Sequence, residues 1–400
     1  MLKAIKIKLY PNQDQTTYMN KLLGTSRFVY NQCLNYKITE YQSFKKSTSF
    51  GEIGKFLTSL KSEYQWIKES HSKVLQQQLI NLDKAYKNFF TQGNGFPNFK
   101  SKHQNQSCRF PVDAISGMNG NKINIITALK SIHYKCSRRD ERYLNRNQDK
   151  IKSGTLSKTK SGDYYFSVLI ERSNIKKLKS TNKIIGLDLG IKDFIVTSEG
   201  LKFENLKSKR NNQEILSRRH RELSRKIKGS NHQKESRIRL AKVYEKINNQ
   251  KEYYLHSITN QLLSENQTTV IEDLNVKGML KNHRLAKSIQ ELSLNRFKNM
   301  LMYKAGWYGR EIIQISRWFP SSKLCSCCGY KNNELLLKDR EWICPVCNSL
   351  LDRDLNAAIN IRNEGERIKI GLSSPESTRQ EIKPIGHRRM VKEIVTSYLI

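Results

Sequence analysis

The sequence predicts a small β-barrel with a helical segment inserted after its first strand, followed by an α/β domain. Three observations predict it. The chain opens on a period-two strand, in which Ile5, Ile7 and Leu9 alternate with Lys6, Lys8 and Tyr10. Helical spacing then occupies much of residues 14–100 before β-type alternation returns over 106–175. Beyond residue 183 the pattern becomes meander, helix, strand, helix, strand, helix, the order of an α/β domain. A chain of 400 residues has room for two or three domains.

Each element has its own signal. Pro11 stops the first strand. Over 14–44, Leu22, Leu23, Val29 and Cys33 fall near helical spacing. Over 72–90, Leu75, Leu79, Leu82, Tyr86 and Phe89 step by four, three, four and three, which predicts a helix with a core stripe. Lys73, Gln76, Gln77, Lys84 and Lys87 lie off that stripe. Gly93, Gly95 and Pro97 end the helix. Phe96 and Phe99 then interleave with Lys100 and Lys102. That pattern fits either rings that stack bases beside cations for phosphates or a packed turn followed by solvated lysines. KINIITAL and DYYFSVLIER alternate as strands, and the charged KKLKSTNK at 176–183 is a linker.

In the second half, KIIGLDLGIKDFIVTSEGLKF predicts three short strands with turns at Gly190 and Glu199-Gly200. A basic helical region over 208–265 is broken at Gly229-Ser230-Asn231. TTVIEDL (268–274) is a short buried strand. Residues 287–309 form a helix with Leu294, Phe297, Leu301 and Trp307 in its stripe. EIIQISRWF (311–319) is a strand, and DRDLNAAINIRNEG is a helix. The polar tail from about residue 366 is expected to be mobile.

Charge narrows the function. The chain has 72 Lys and Arg against 36 Asp and Glu, so 72 − 36 gives a formal +36. Such a surplus repels itself unless a polyanion neutralises it. Nucleic acid is the natural partner, because each neutralised phosphate releases counterions. No apolar run approaches the roughly 20 residues of a spanning helix. MLKAIKIKLYP lacks the continuous apolar core of a signal peptide. No membrane and no small-molecule substrate is expected.

Five of the eight cysteines fall between 325 and 347, in CSCCGY and CPVC. Paired CxxC without an export signal predicts metal binding in a reducing, cytoplasmic compartment. A tetrahedral site needs four ligands. Cys325 with Cys328 makes one CxxC and Cys344 with Cys347 the other, with fifteen residues between the pairs. Gly329 follows Cys328 where a knuckle turn favours positive φ. Asn348 follows Cys347, and Asn tolerates that conformation next best. The repetition selects Cys328 and leaves Cys327 as a bystander. Four thiolates close a zinc site, so this zinc holds shape.

Three acids sit where acids are costly. Asp188 lies in the apolar IIGLDLGI, Glu272 in TVIEDL, and Asp354 beside Asp352 at the start of DRDLNAAINI. A divalent cation would compensate them, and carboxylates around two metals are the apparatus of phosphodiester hydrolysis. Each acid also has an ordinary role open to it. Asp188 can cap a turn, one of Glu272 and Asp273 can face solvent, and Asp352 can cap the helix carrying Asp354. The acids are separated by 84 and 82 residues, so spacing alone does not bring them together.

Together the motifs resemble the TnpB (OrfB-type) proteins of bacterial insertion sequences, relatives of the type V CRISPR effector nucleases. The resemblance covers about residues 1–365 and runs through LYPNQDQ, RFVYN, AYKNFF, GFPNFKSK, GLDLGIKDF, KGSNHQK, VIEDLNVKGM, YKAGWYG, FPSSKLCSCCG, REWICPVC and LDRDLNAAINI. It implies a wedge-like β-barrel at 1–12 and 104–178 and a helical recognition domain at 13–103. It further implies a RuvC (RNase H-like) nuclease domain at 179–322 and 351–366, with a zinc ribbon at 323–350 and a tail at 367–400. Asp188, Glu272 and Asp354 would bind two catalytic Mg²⁺ ions, while one structural Zn²⁺ would occupy the four cysteines. The partners implied are a guide RNA from the transposon end and double-stranded target DNA, in the bacterial cytosol. The activity implied is RNA-guided DNA cleavage beside a short motif read by the protein; the alternative is a guided or basic DNA-binding regulator that does not cleave. Lys73, Gln76, Phe99 and Lys100 are the candidate nucleic-acid contacts. Gln76 suits an adenine edge, although a solvated helix face accounts for Lys73 and Gln76 equally well.

Overall fold

The computed structural model describes residues 1–172, 177–336 and 338–371. The chain divides into two compact units, Met1–Ile175 with Asn212–Ile247, and Lys176–Asn211 with Asn248–Ile400. Among the described residues no helix is long and apolar enough to cross a membrane.

The first unit starts with β1 (Leu2–Tyr10) and the helices α1 (Gln13–Phe44), α2 (Phe50–Glu63) and α3 (Ser72–Gln92). The strands β2 (Gln106–Pro111), β3 (Gly117–Asn119), β4 (Lys122–Asn124) and β5 (Ile132–Lys135) come next. The short helix α4 (Arg138–Arg146) precedes the hairpin of β6 (Ile151–Lys158) and β7 (Tyr164–Glu171). The seven strands form one antiparallel sheet in the order β2-β6-β7-β1-β5-β4-β3. Its two ends, β2 and β3, share no ladder among the described residues, so hydrogen bonds do not close the expected barrel. Alternation decides which face is buried. Ile5, Ile7 and Leu9 of β1 join Phe166, Val168 and Ile170 of β7 in one core.

Helix α1 serves two cores. Its first half gives Met19, Leu22 and Leu23 to the sheet. Its second half gives Val29 and Leu34 to a separate cluster with Ile53, Leu57, Leu75, Leu79 and Leu82. Asn12 and Gln15 close a capping box at its start. Of the stripe expected on α3, Leu75, Leu79 and Leu82 are core, Tyr86 packs partly buried against them, and Phe89 is half-buried outside that cluster.

The second unit opens on the meander β8 (Ile184–Asp188), β9 (Asp193–Thr197) and β10 (Lys202–Glu204). Helices α5 (Ser208–Asn211), α6 (Gln213–Ser224) and α7 (Asn231–Glu265) follow, with Gly229 at φ 87° in the expected break. Residues Asn212–Ile247 belong to the first unit, although the domain assignment expected them with the acids. There Leu216, Leu240 and Ile247 form a small core, and Glu245 accepts a 3.0 Å hydrogen bond from the Tyr165 hydroxyl.

Strand β11 (Thr268–Glu272) and the short helix α8 (Val276–Met279) lead to α9 (His283–Leu292) and α10 (Leu294–Tyr308). One helix was expected over 287–309. The chain instead breaks at Ser293, which adopts φ 58°. Leu292 and Leu294 are both buried, and a continuous helix would turn them about 200° apart. The left-handed residue brings both into the same core. Strand β12 (Glu311–Ile315) completes a five-stranded sheet in the order β10-β9-β8-β11-β12. The meander is antiparallel, whereas β8, β11 and β12 run parallel.

The hairpin of β13 (Glu341–Ile343) and β14 (Leu350–Asp352) leads directly into α11 (Arg353–Lys369). This last helix lies against bare backbone. A Cβ on Gly186 would come 2.2 Å from the Ala358 carbonyl oxygen, and one on Gly365 would come 2.4 Å from Val270. Both glycines are required for so close a seat. Of the expected mobile tail, residues 367–369 continue this helix, and those from 372 onward lie outside the described residues.

Candidate active site and metal centre

The parallel strands bring two of the three acids together. Leu187 pairs with Ile271, so Asp188 and Glu272 occupy matching positions at the carboxyl ends of neighbouring strands. Both strands are mostly buried and end in a half-buried acid. The third acid comes from α11. Asp352 caps that helix, accepting 3.0 Å bonds from the amides of Asp354 and Leu355. The cap places Asp354 in the first turn. Asp352 also takes Lys202 Nζ at 2.8 Å, and although burial opposes it, Lys202 and the two amides hold its carboxyl below the usual range.

The electrostatics show that the acids share one environment. Burial first, then repulsion from Glu272 and Asp354, raises Asp188 to about 7. Arg353 and the Leu189 amide only partly oppose this. Burial also raises Glu272, against a hydrogen bond of 2.6 Å donated by Ser321 Oγ to Glu272 Oε1. Among the described residues neither Asp188 nor Glu272 has an ion-pair partner. Asp354 does: Arg340 Nη1 lies 3.1 Å from its Oδ2. Asp273 faces away from the group, paired with Lys298 at 3.0 Å and with Arg317. Burial favours protonation of Asp188 and Glu272, with repulsion added at Asp188; a divalent cation would compensate both costs.

The four thiols are arranged differently. Cys325, Cys328, Cys344 and Cys347 bring their sulfurs all within 4.8 Å of one another, the only such group of possible ligands among the described residues. Cys325 lies 3.6 Å from Cys347, and Cys328 lies 3.5 Å from Cys344. Those separations are far beyond a disulfide bond. They approach the edge of about 3.8 Å that a tetrahedron with zinc–sulfur bonds of about 2.3 Å requires. Gly329 adopts φ 78° and Asn348 φ 56°, as the knuckle reading demands. The Gly329 amide bonds back to the Cys325 carbonyl and the Asn348 amide to that of Cys344, so the two turns repeat each other. Cys327 is exposed and outside the group.

The expected nucleic-acid residues separate into two pairs. Gln76 and Phe99 are exposed. Lys73 is exposed as well but ion-paired with Asp113. Lys100 Nζ sits 3.8 Å from the centre of the Tyr30 ring and 3.4 Å from Gln78 Oε1, and burial lowers its pKa. Ser321, Arg340 and Lys202 were not anticipated as partners of the acids. The FPSSK motif was visible, but the contact its serine makes depends on the fold.

The fold defines the class first. Its likeness is to the protein chain of a Cas12f1–sgRNA–target DNA complex, with TM-score 0.56 and 16% identity over 88% of this chain and 83% of that one. The sequence comparisons then give the family. The IS605 OrfB model, "Probable transposase", matches residues 166–283, and a Cas12f1-like TNB domain matches 295–361, including all four thiols. A helix-turn-helix domain of the same family matches 1–46, where the structure has β1 and the single helix α1. A protein of Streptomyces pristinaespiralis named "Putative RNA-guided DNA endonuclease" is 34% identical, over 91% of this chain and 89% of its own length. InsQ of Escherichia coli K12, named in the same words, is 29% identical over 92% and 93%. The chain belongs to the IS605 OrfB family, the TnpB-type proteins that its motifs resemble.

Proposed function

We propose that this chain is an RNA-guided DNA endonuclease of transposon origin. The observation that carries the proposal is the placement of Asp188 and Glu272 on adjacent strand ends, with Asp354 on α11 close enough to act electrostatically on Asp188. The names borne by its relatives support the same reading. The five-stranded sheet would be the RuvC-like core, the sheet of the first unit the wedge, α1 to α3 the recognition helices, and the thiol segment a structural zinc ribbon.

Asp188, Glu272 and Asp354 would hold Mg²⁺. When bound, Mg²⁺ supplies activation of water and stabilisation of the leaving oxygen of a phosphodiester. The chain's own residues do the rest. Among the described residues Asp188 and Glu272 have no ion-pair partner, which leaves their oxygens for a cation. Ser321 fixes one oxygen of Glu272, and Arg340 pairs with Asp354. The formal +36 matches a guide–target heteroduplex, whose backbone and shape the protein would recognise while base pairing reads the sequence. Gln76, Phe99 and Lys73 are the exposed candidates for direct contact, beside the half-buried Lys100.

The test has two stages. RNA that co-purifies with the protein is sequenced, and the loaded protein is then given matched and mismatched DNA with Mg²⁺ or EDTA. Cleavage of matched DNA with Mg²⁺ alone is expected. Guide-dependent binding without cutting would instead favour the non-cleaving regulator.

A further inference from the structure

We propose that Ser321 is a positioning residue for Glu272, and that Asn356 and Asn360 set it, so that one helix and the thiol ribbon align two carboxylates together. The inference rests on the nuclease reading above and adds to it the residues that orient its site.

Ser321 is buried, and its hydroxyl donates to Glu272 Oε1 at 2.6 Å. Its backbone is held as well. Asn360 Nδ2 donates to the Ser321 carbonyl at 2.8 Å and to the Leu324 carbonyl at 2.7 Å. Asn356 Nδ2 donates to the same Leu324 carbonyl at 2.6 Å, while Asn356 Oδ1 accepts the Ser326 amide at 2.9 Å. Cys325 lies between these two anchored residues. Four residues apart, the asparagines share one face of α11, and they are only 2% and 6% exposed. Asparagine is a mediocre helix former, and a buried amide is costly unless its hydrogen bonds are made. Here both amides are spent on one segment, 321–326.

That segment begins at the serine on Glu272 and contains the first of the four thiols, Cys325. The helix that clamps it also carries Asp354. With Oε1 committed to Ser321, Oε2 of Glu272 is left for a cation. Such outer partners of metal-binding carboxylates commonly change affinity or activity about 10–100-fold when removed.

The guide-loaded protein is compared as wild type, Ser321→Ala, Ser321→Thr and Asn360→Leu. Mn²⁺ binding is followed by electron paramagnetic resonance over the background of Glu272→Ala, and the Mg²⁺ concentration for half-maximal cleavage is measured. Ser321→Ala and Asn360→Leu are expected to weaken Mn²⁺ binding and raise the Mg²⁺ requirement about 10–100-fold, with zinc still at one per chain. Ser321→Thr, which keeps the hydroxyl, is expected to restore both. If Asn360→Leu loses its zinc, the Ser321 pair decides. Wild-type metal dependence in Ser321→Ala, or failure of threonine to restore it, overturns the inference. A wild type that neither cleaves nor binds Mn²⁺ above background overturns the nuclease reading itself, and the inference with it.

Discussion

The thiol and carboxylate groups are both candidate metal sites, and they are built by opposite rules. The thiols come from two turns within 23 residues of chain, each turn repeating the other's backbone hydrogen bonds. Their sulfurs are already at near-tetrahedral spacing. The acids come from two strands and a helix separated by more than 80 residues at each step. Their oxygens do not close to the spacing that the sulfurs reach, and Glu272 and Asp354 are engaged with Ser321 and Arg340. A locally encoded site of four thiolates suits a metal that holds shape, whereas a site assembled by tertiary packing keeps positions open for substrate.

The sharpest way to break this contrast is at the knuckle. Cys328→Ser is expected to abolish zinc, measured by metal analysis, and to forfeit ribbon stability on the order of 10 kcal/mol. Cys327→Ser should keep one zinc per chain. Equal zinc loss in both variants would undo the choice of ligands. On the carboxylate side, Asp188→Ala is expected to lower cleavage about 10³-fold or more, since metal-assisted charge stabilisation is worth several kcal/mol. Zinc content and guide binding should stay unchanged, and cutting near the wild-type rate would remove Asp188 from the site.

A third comparison uses pH. With its pKa raised from 3.8 to about 7, Asp188 keeps a proton in the folded protein that the unfolded chain has released. Without added Mg²⁺, the stability this contributes is complete below about pH 4 and is lost as pH rises to about 7. Asp188→Asn should therefore gain stability on wild type across that window, by up to a few kcal/mol, as followed by thermal melts at each pH. A gap that does not change with pH would contradict the shared environment. The smallest effect is expected from Arg340→Ala. That pair is half exposed on the arginine side and worth about 0–1 kcal/mol. Releasing Asp354 should lower the Mg²⁺ needed for half-maximal cleavage by no more than about fivefold.

Local signals in the sequence carried the knuckle completely. Gly329 and Asn348 announced positive φ, and both adopt it. The meander was legible because turns at Gly190 and Glu199-Gly200 separate its short strands, and β11 and β12 because each is a short run that follows a helical stretch. Helix α2 was passed over, although Ser49 and Glu52 form a capping box. Gly51 and Gly54 depress helix propensity there, and packing of Ile53 and Leu57 against α3 overrides it. The break at Ser293 was hidden because either side of it has good helical periodicity. Among the acids, type and strand context pointed to Asp188 and Glu272, and the DRD motif to Asp354. Ser321 lies 49 residues from Glu272, Arg340 14 from Asp354 and Lys202 150 from the capping Asp352, so no helical or strand periodicity could pair them.

The close seat of α11 on Gly186 and Gly365 gives the site an unusual kind of vulnerability. The register of Asp354 depends on two positions where a side chain is missing rather than on one that is present. A single methyl at Gly186 would act as a shim under the helix, lifting Asp354 away from Asp188 while every acid, thiol and clamp residue kept its identity. The fidelity of this centre is thus inherited in part from carbon atoms the chain leaves out.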